Sequence, residues 1–177
     1  MARAVIWISD RLDRLCRYGA AACIVAMLAA VSLQVAARYL FNQPPSWTEE
    51  LTRFAMVWGG MLGATIAFKT RFDPTLVTLP PGLSAAIRLA AAIVGSAAVL
   101  IFLLPVLYYS LFGPDWSFAR GFLARTMGRV AEAMGFSMVF VAVAVPFAIV
   151  VILVHLAARL AGEPAPDGAG PGGEPTT

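Results

Sequence analysis

Four long stretches of this chain contain no Asp, Glu, Lys or Arg, and they limit its possible folds more than any other feature. They cover residues 18–37, 54–68, 89–114 and 133–154. A helix needs about 20 apolar residues to cross roughly 30 Å of hydrocarbon. Three stretches reach that length, and the second reaches it if its helix begins at Ser46. Because the stretches are continuous rather than alternating, they indicate helices and not a β-barrel. The sequence therefore predicts an all-α membrane protein with four transmembrane helices.

Turn residues between the apolar stretches set the ends of the predicted spans. The segment Asn42-Gln43-Pro44-Pro45 is a strong turn signal, and further Pro and Gly residues follow the second and third stretches. The Pro/Gly-rich residues 162–177 have no apolar surface to offset ordering entropy, so we expect a disordered tail there. One transmembrane domain, residues 1–161, would then contain spans at about 18–41, 46–69, 84–112 and 133–156.

The segment before the first span is amphipathic. Val5, Ile8, Leu12 and Leu15 fall on one stripe of a helix over residues 4–17, and charged residues fill the rest. Such a helix is expected to lie on the membrane surface, although a simple extension of the first span fits equally well. The apolar stretch that follows is longer than that of a signal peptide, so we expect it to be retained.

The distribution of basic residues predicts the orientation, because Lys and Arg are enriched in cytoplasmic segments. With the N-terminus inside, eight of the 13 basic residues are cytoplasmic and five are outside. This count favours both termini in the cytoplasm. The cytoplasmic set is Arg3, Arg11, Arg14, Arg17, Lys69, Arg71, Arg88 and Arg159.

Polar residues are concentrated between the first two spans, in the segment FNQPPSWTEELTRF at residues 41–54. Ser46 and Glu49 match a capping box, and Glu49 precedes Arg53 by four residues, the favourable order for a helical ion pair. In a tight hairpin, Arg38 is expected at the depth of Glu49 or Glu50 and would pair with one of them. These features alone indicate a capped, charge-paired helix start.

The second span has two further patterns. Trp47, Glu50, Leu51, Phe54 and Trp58 share one face, which predicts a contact surface for another helix. Small residues recur at intervals of four, which favours close approach of helices. We therefore prefer partner docking to self-capping alone as the role of this segment. The small residues are Gly59, Gly60, Gly63, Ala64 and Ala67.

Chemistry typical of catalysts and carriers is lacking in the sequence. No span has a charge near its middle, as a proton or ion path would require, and His155 alone cannot provide paired haem ligands. Cys16 and Cys23 are expected to be small apolar residues rather than a disulfide. The sequence therefore predicts no enzyme, no cofactor and no metal site.

The polar segment resembles the small, Q-type membrane subunit of tripartite ATP-independent periplasmic (TRAP) transporters. The matching residues are Arg38-Tyr39-Leu40-Phe41-Asn42, then Pro45 through Arg53, then Trp58, Gly63-Ala64, Ala67 and Lys69. The four-span layout fits as well, so the likeness covers about residues 1–160. The chain departs from the family where a His often follows the second span, since residues 69–74 read KTRFDP.

The resemblance implies an accessory role in the bacterial inner membrane. Such a subunit braces a large multi-span subunit, which carries the substrate and the coupling ions, and a periplasmic binding protein delivers an organic acid. By matching position, the docking surface and hairpin would use Arg38, Trp47, Glu49, Glu50, Arg53 and Trp58. The alternatives from the residues alone are a membrane anchor of a redox or other enzyme complex and a small oligomeric exporter.

Overall fold

The computed structural model describes residues 2–70, 84–113 and 116–163. The predicted disordered tail lies outside these ranges except for its first two residues. The helices are α1 (Ala2–Phe41), α2 (Trp47–Lys69), α3 (Ala85–Leu111), α4 (Phe122–Met127), α5 (Val139–Ala142) and α6 (Ala144–Leu160), with a 3₁₀ turn at Phe118–Arg120. Four helical segments in the described ranges are long and apolar enough to cross a membrane. The all-helical, four-span prediction is confirmed at this level.

The first helix runs without a break for 40 residues. It therefore follows the second of the two sequence alternatives, in which the N-terminal segment extends the first span. The helix ends before Asn42, which has a left-handed φ of 53°. Asn is one of the few residues that adopt this conformation easily, and it commonly terminates helices there.

The start of α2 differs from the predicted capping box. Ser46 makes no side-chain hydrogen bond to the helix start. Instead the Thr48 hydroxyl donates to the Pro45 carbonyl at 2.7 Å, and the Thr48 amide donates to the same oxygen. Glu49 is thereby released from capping and its carboxylate is available to the neighbouring helix.

Helices α1 and α2 form an antiparallel hairpin in close contact. A Cβ atom added to Gly59 would lie 3.3 Å from Cys23 Cβ, and one added to Gly19 would lie 2.9 Å from Leu62 Cδ1. Nearer the turn, Gln34 faces Glu49. These pairs fix the register, and they place Arg38 beyond the start of α2 rather than at the depth of Glu49.

The last span completes a three-helix unit with the hairpin. Its core joins Cys16 of α1, Leu62 of α2 and Val151 of α6. Pro146 lies in the first turn of α6, where it has no amide to donate to Ala142, and a turn at Val143 separates α5 from α6 at this place. The span therefore covers Val139–Leu160 instead of starting at Ala133.

Helix α3 packs far less tightly than the other spans. None of the residues in its most apolar window is buried, whereas 44% of the corresponding window in the last span is buried. Residues 116–138 then form a short turn of 3₁₀ helix, the six-residue α4 and an antiparallel bridge between Val130 and Ser137. This stretch thus contains one short α-helix, which is followed by Gly128.

Candidate functional site

A single carboxylate joins the start of α2 to the loop that precedes the last span. Glu50 Oε2 accepts hydrogen bonds from the backbone amides of Ala133 and Met134, at 3.0 and 2.8 Å. These amides belong to the turn that the Val130–Ser137 bridge closes, with Gly135 at a φ of 72°. Hydrogen bonds to a charged acceptor are stronger than neutral ones, so Glu50 fixes this loop against the hairpin.

Two aromatic residues continue the same contact along α2. The Phe54 ring lies 5.3 Å from that of Phe136, and the Trp58 ring lies 5.9 Å from that of Phe147. Trp58 Nε1 also donates to the Phe140 carbonyl at 3.0 Å. The helix that faces this stripe of α2 is therefore the last span of the same chain.

The remaining predicted residues at the hairpin point outward. Glu49 accepts a hydrogen bond at 2.9 Å from Gln34 Nε2, and both Arg38 and Arg53 are exposed. Within the described ranges, neither arginine has a carboxylate within ion-pairing distance. Trp47 is 40% exposed at the first turn of α2. The two glutamates are thus held by a neutral side chain and by backbone amides.

The small residues of α2 divide between two faces. Gly59 faces α1, whereas a Cβ atom added to Gly60 or Gly63 would meet nothing within 4 Å. At 3.6 residues per turn, Ala64 and Ala67 lie on the same outer face as Gly60. One glycine therefore serves packing within the chain, and the others leave an outward surface without bulky side chains.

A second polar cluster, which sequence patterns did not predict, lies at the opposite end of the three-helix unit. Lys69 Nζ donates to Asp10 Oδ1 at 2.9 Å and to Ser9 Oγ at 2.7 Å, and it also pairs with Glu163 Oε1. The Lys69 side chain is only 10% exposed and that of Glu163 14%. A single ammonium group therefore connects α1, α2 and the segment after α6.

Ser9 extends this cluster to the last span. Its Oγ lies 2.8 Å from His155 Nδ1, and both residues are buried. Ser9 Oγ thus accepts a hydrogen bond from Lys69 and shares another with the imidazole, so that it connects the ammonium group of α2 to the last span. Sequence analysis considered His155 only as a haem ligand, and periodicity within single helices gave no signal for contacts between residues so far apart in the chain. We call Ser9, Asp10, Lys69, His155 and Glu163 the Lys69 cluster.

Between these two ends, the buried hydroxyl of Thr65 makes its hydrogen bond within its own helix. Thr65, which is fully buried on α2, donates to the Leu62 carbonyl at 2.7 Å. Both polar sites thus connect segments of the chain to one another, and their geometry is that of a structural unit. These features define the class of the molecule as a multi-pass helical membrane protein.

Comparison with protein families identifies its group. The family model for the DctQ component of tripartite ATP-independent periplasmic transporters matches residues 27–163. This match covers about three quarters of the chain, and the chain belongs to that family. The protein is a transporter component and not an enzyme. Family membership therefore rules against the alternative that the chain anchors an enzyme complex in the membrane. No curated protein matches the chain.

Proposed function

We propose that this chain is the small accessory subunit of a TRAP transporter in the bacterial inner membrane. It braces the large transport subunit during ion-coupled uptake of an organic acid that a periplasmic binding protein delivers. Both termini lie in the cytoplasm, and the amphipathic start of α1 meets the membrane surface there. The family match to the DctQ component carries this proposal.

The packing of α2 supports a bracing role. Glu50, Trp58 and Lys69, at the start, middle and end of this helix, each contact the last span or its flanks. A helix that is held along its full length resists bending and sliding. The large subunit can move its transport domain only if another part of it stays fixed. A rigid α2 provides a surface that can hold that part in place.

The outer face of α2 is the surface that we assign to the large subunit. Arg53, Met56, Gly60 and Ala64 are exposed and follow one another at intervals of three or four residues. Gly60 and Ala64, in the half of this face nearer Lys69, let a partner helix approach closely. At the hairpin end, the exposed Arg38 and Trp47 extend the face. Glu50 and Trp58 act indirectly, because they hold α2 in the orientation that presents this face.

Two glycine variants separate docking from folding. Gly60→Leu adds a side chain to open space on the outer face, so we expect normal thermal stability and loss of the large subunit. Gly59→Leu places the same side chain against Cys23 and is expected to destabilise the chain itself. The measurement is co-purification of the large subunit from native membranes in mild detergent, with partners identified by mass.

A matched control uses Ala97→Leu on α3, which enlarges an exposed residue of another span. The large subunit should remain with this variant at the wild-type level. Retention of the large subunit by Gly60→Leu would contradict the assigned face. Recovery of a redox enzyme, or of the chain alone, with the wild-type protein would overturn the transporter role.

A further inference from the structure

We propose that the first part of α1 binds anionic phospholipid headgroups. The binding surface is a basic–aromatic face that consists of Arg3, Trp7, Arg11, Arg14 and Tyr18. This inference is separate from the protein that docks on α2, because the face lies on another helix and at the Lys69 end of the molecule.

The basic–aromatic face points away from the rest of the protein. At 3.6 residues per turn, its five residues fall within a sector of about 80°, roughly opposite Ser9. Ser9 is fully buried against α2 and α6, whereas Trp7 and Tyr18 are 60% and 71% exposed. The face is therefore exposed along about four turns of helix.

The length of α1 places the part of this face nearest the first span, Arg11 to Tyr18, at or next to the headgroup level. At 1.5 Å per residue the helix of 40 residues is about 60 Å long, twice the roughly 30 Å of hydrocarbon. Its charge-free stretch begins only at Tyr18. Residues 3–17 thus extend beyond the hydrocarbon, into the zone where Trp and Tyr rings accumulate.

The charges on this part of α1 are sorted by face. Asp10 pairs with Lys69, and Asp13 pairs with Arg17 at 2.8 Å. Within the described ranges, Arg3, Arg11 and Arg14 have no carboxylate partner. Both acids are therefore neutralised by partners within the chain, and three exposed guanidinium groups have no carboxylate partner in the described ranges.

One of these arginines is already positioned by an aromatic ring. The Arg11 guanidinium carbon lies 5.1 Å from the centre of the Trp7 ring. A cation–π contact of this kind occupies none of the guanidinium N–H groups with an acceptor oxygen, so they can donate to phosphate oxygens. A headgroup with a net negative charge matches the three arginines better than a zwitterionic one, whose ammonium group opposes them.

The test measures lipid binding to the full chain purified in mild detergent, by native mass spectrometry during titration with phosphatidylglycerol or phosphatidylcholine. One Arg at an anionic membrane surface contributes about fivefold in affinity, so Arg11→Gln with Arg14→Gln should weaken phosphatidylglycerol binding by about 25-fold. Phosphatidylcholine binding should be weak in both proteins. The double variant Arg11→Lys with Arg14→Lys keeps the charge and should retain most of the binding.

A matched control is Arg125→Gln with Arg129→Gln, which removes two exposed arginines from the other end of the molecule. This control should bind phosphatidylglycerol like the wild type. An equal loss of phosphatidylglycerol binding in both Gln variants would show that the total charge of the chain, and not this face, determines binding, and would overturn the proposal. Unchanged binding in the Arg11/Arg14 variant would also overturn it. Displacement of the lipid by inorganic phosphate alone would mean a site for free anions, and loss of co-purifying protein instead of lipid would mean a protein interface. Helical content from circular dichroism confirms that each variant is folded.

Discussion

The two ends of the three-helix unit are tied by different chemistry. At the hairpin end, Glu50 holds two backbone amides and Glu49 holds an amide side chain. At the other end, Lys69 holds two carboxylates and a serine, with a buried histidine behind it. One end therefore uses a charge with neutral partners, and the other uses opposite charges in a more enclosed place.

The difference shows that scarce polar residues serve this chain mainly as links between distant segments. At a partly exposed site, a charge that binds neutral partners loses little hydration, so its loss also costs little free energy of unfolding. An enclosed ion pair is different, because removal of one member leaves the other in a poorly solvated place. We therefore expect the Lys69 end to be the more sensitive of the two.

The largest effect is expected for Lys69→Met. This change leaves Glu163 and Asp10 without their cation, and we expect a loss of about 3 kcal/mol in the free energy of unfolding. Denaturant titration of the purified chain in detergent measures it. Arg125→Gln, an exposed change outside the Lys69 cluster, serves as the control and should alter stability by less than about 0.5 kcal/mol. Equal stability of the two variants would remove the proposed asymmetry.

Ser9→Ala should rank second. It leaves His155 Nδ1 buried without a partner, which costs about 2 kcal/mol in unfolding free energy. The double variant Ser9→Ala with His155→Leu removes both polar groups and should recover part of this loss. The same denaturant titration compares single and double variants. A double variant less stable than Ser9→Ala would show that His155 contributes mainly through its packing.

At the hairpin end, Glu50→Ala is expected to lower the unfolding free energy by about 1.5 kcal/mol, because two amides lose a charged acceptor. Glu49→Ala loses a single exposed hydrogen bond to Gln34 and should cost about 0.5 kcal/mol. Hydrogen exchange at the Ala133 and Met134 amides provides a local readout, and only the Glu50 variant should accelerate it. If Glu50→Ala were costlier than Lys69→Met, the order of the two ends would be reversed.

An effect smaller than that of Glu50→Ala is expected between the two ends. Trp58→Phe keeps the aromatic contact with Phe147 but removes the hydrogen bond to the Phe140 carbonyl, which is worth about 1 kcal/mol. Thermal unfolding in detergent is the measurement. Trp47→Phe at the exposed first turn is the control, with no expected change in stability. A melting temperature equal to that of the wild type for Trp58→Phe would mean that this bond contributes nothing.

Composition and turn residues predicted helices with bounds close to those of α2 and α3, because Pro or Gly residues stand on both sides of each stretch. Span two was expected at 46–69 and is found at Trp47–Lys69, and span three was expected at 84–112 and is found at Ala85–Leu111. The start of the last span was misplaced because apolar residues before Val139 form a loop closed by Glu50. Apolar composition does not distinguish an apolar loop from a helix.

The candidate site was less predictable because its partners lie far apart in the sequence. The outward position of Arg38 depends on the register of the hairpin, which α1 sets by continuing as a helix to Phe41. The Lys69 cluster requires Ser9, Lys69 and His155 to meet, and no local pattern contains such a meeting. The stripe on α2 was predicted to be a docking surface for a partner, whereas Phe54 and Trp58 contact Phe136 and Phe147 of the same chain.

The contact between α2 and the last span also implies a delay during synthesis of the chain. The Glu50 carboxylate and the Ala133 amide are separated by 83 residues. At roughly 5 to 20 residues per second, a ribosome needs about 4 to 17 s to make that stretch. During this time the hairpin has been made, but the partners of Glu50 and Trp58 have not. We therefore expect the membrane-insertion machinery to hold the hairpin until the C-terminal part of the chain has been synthesised.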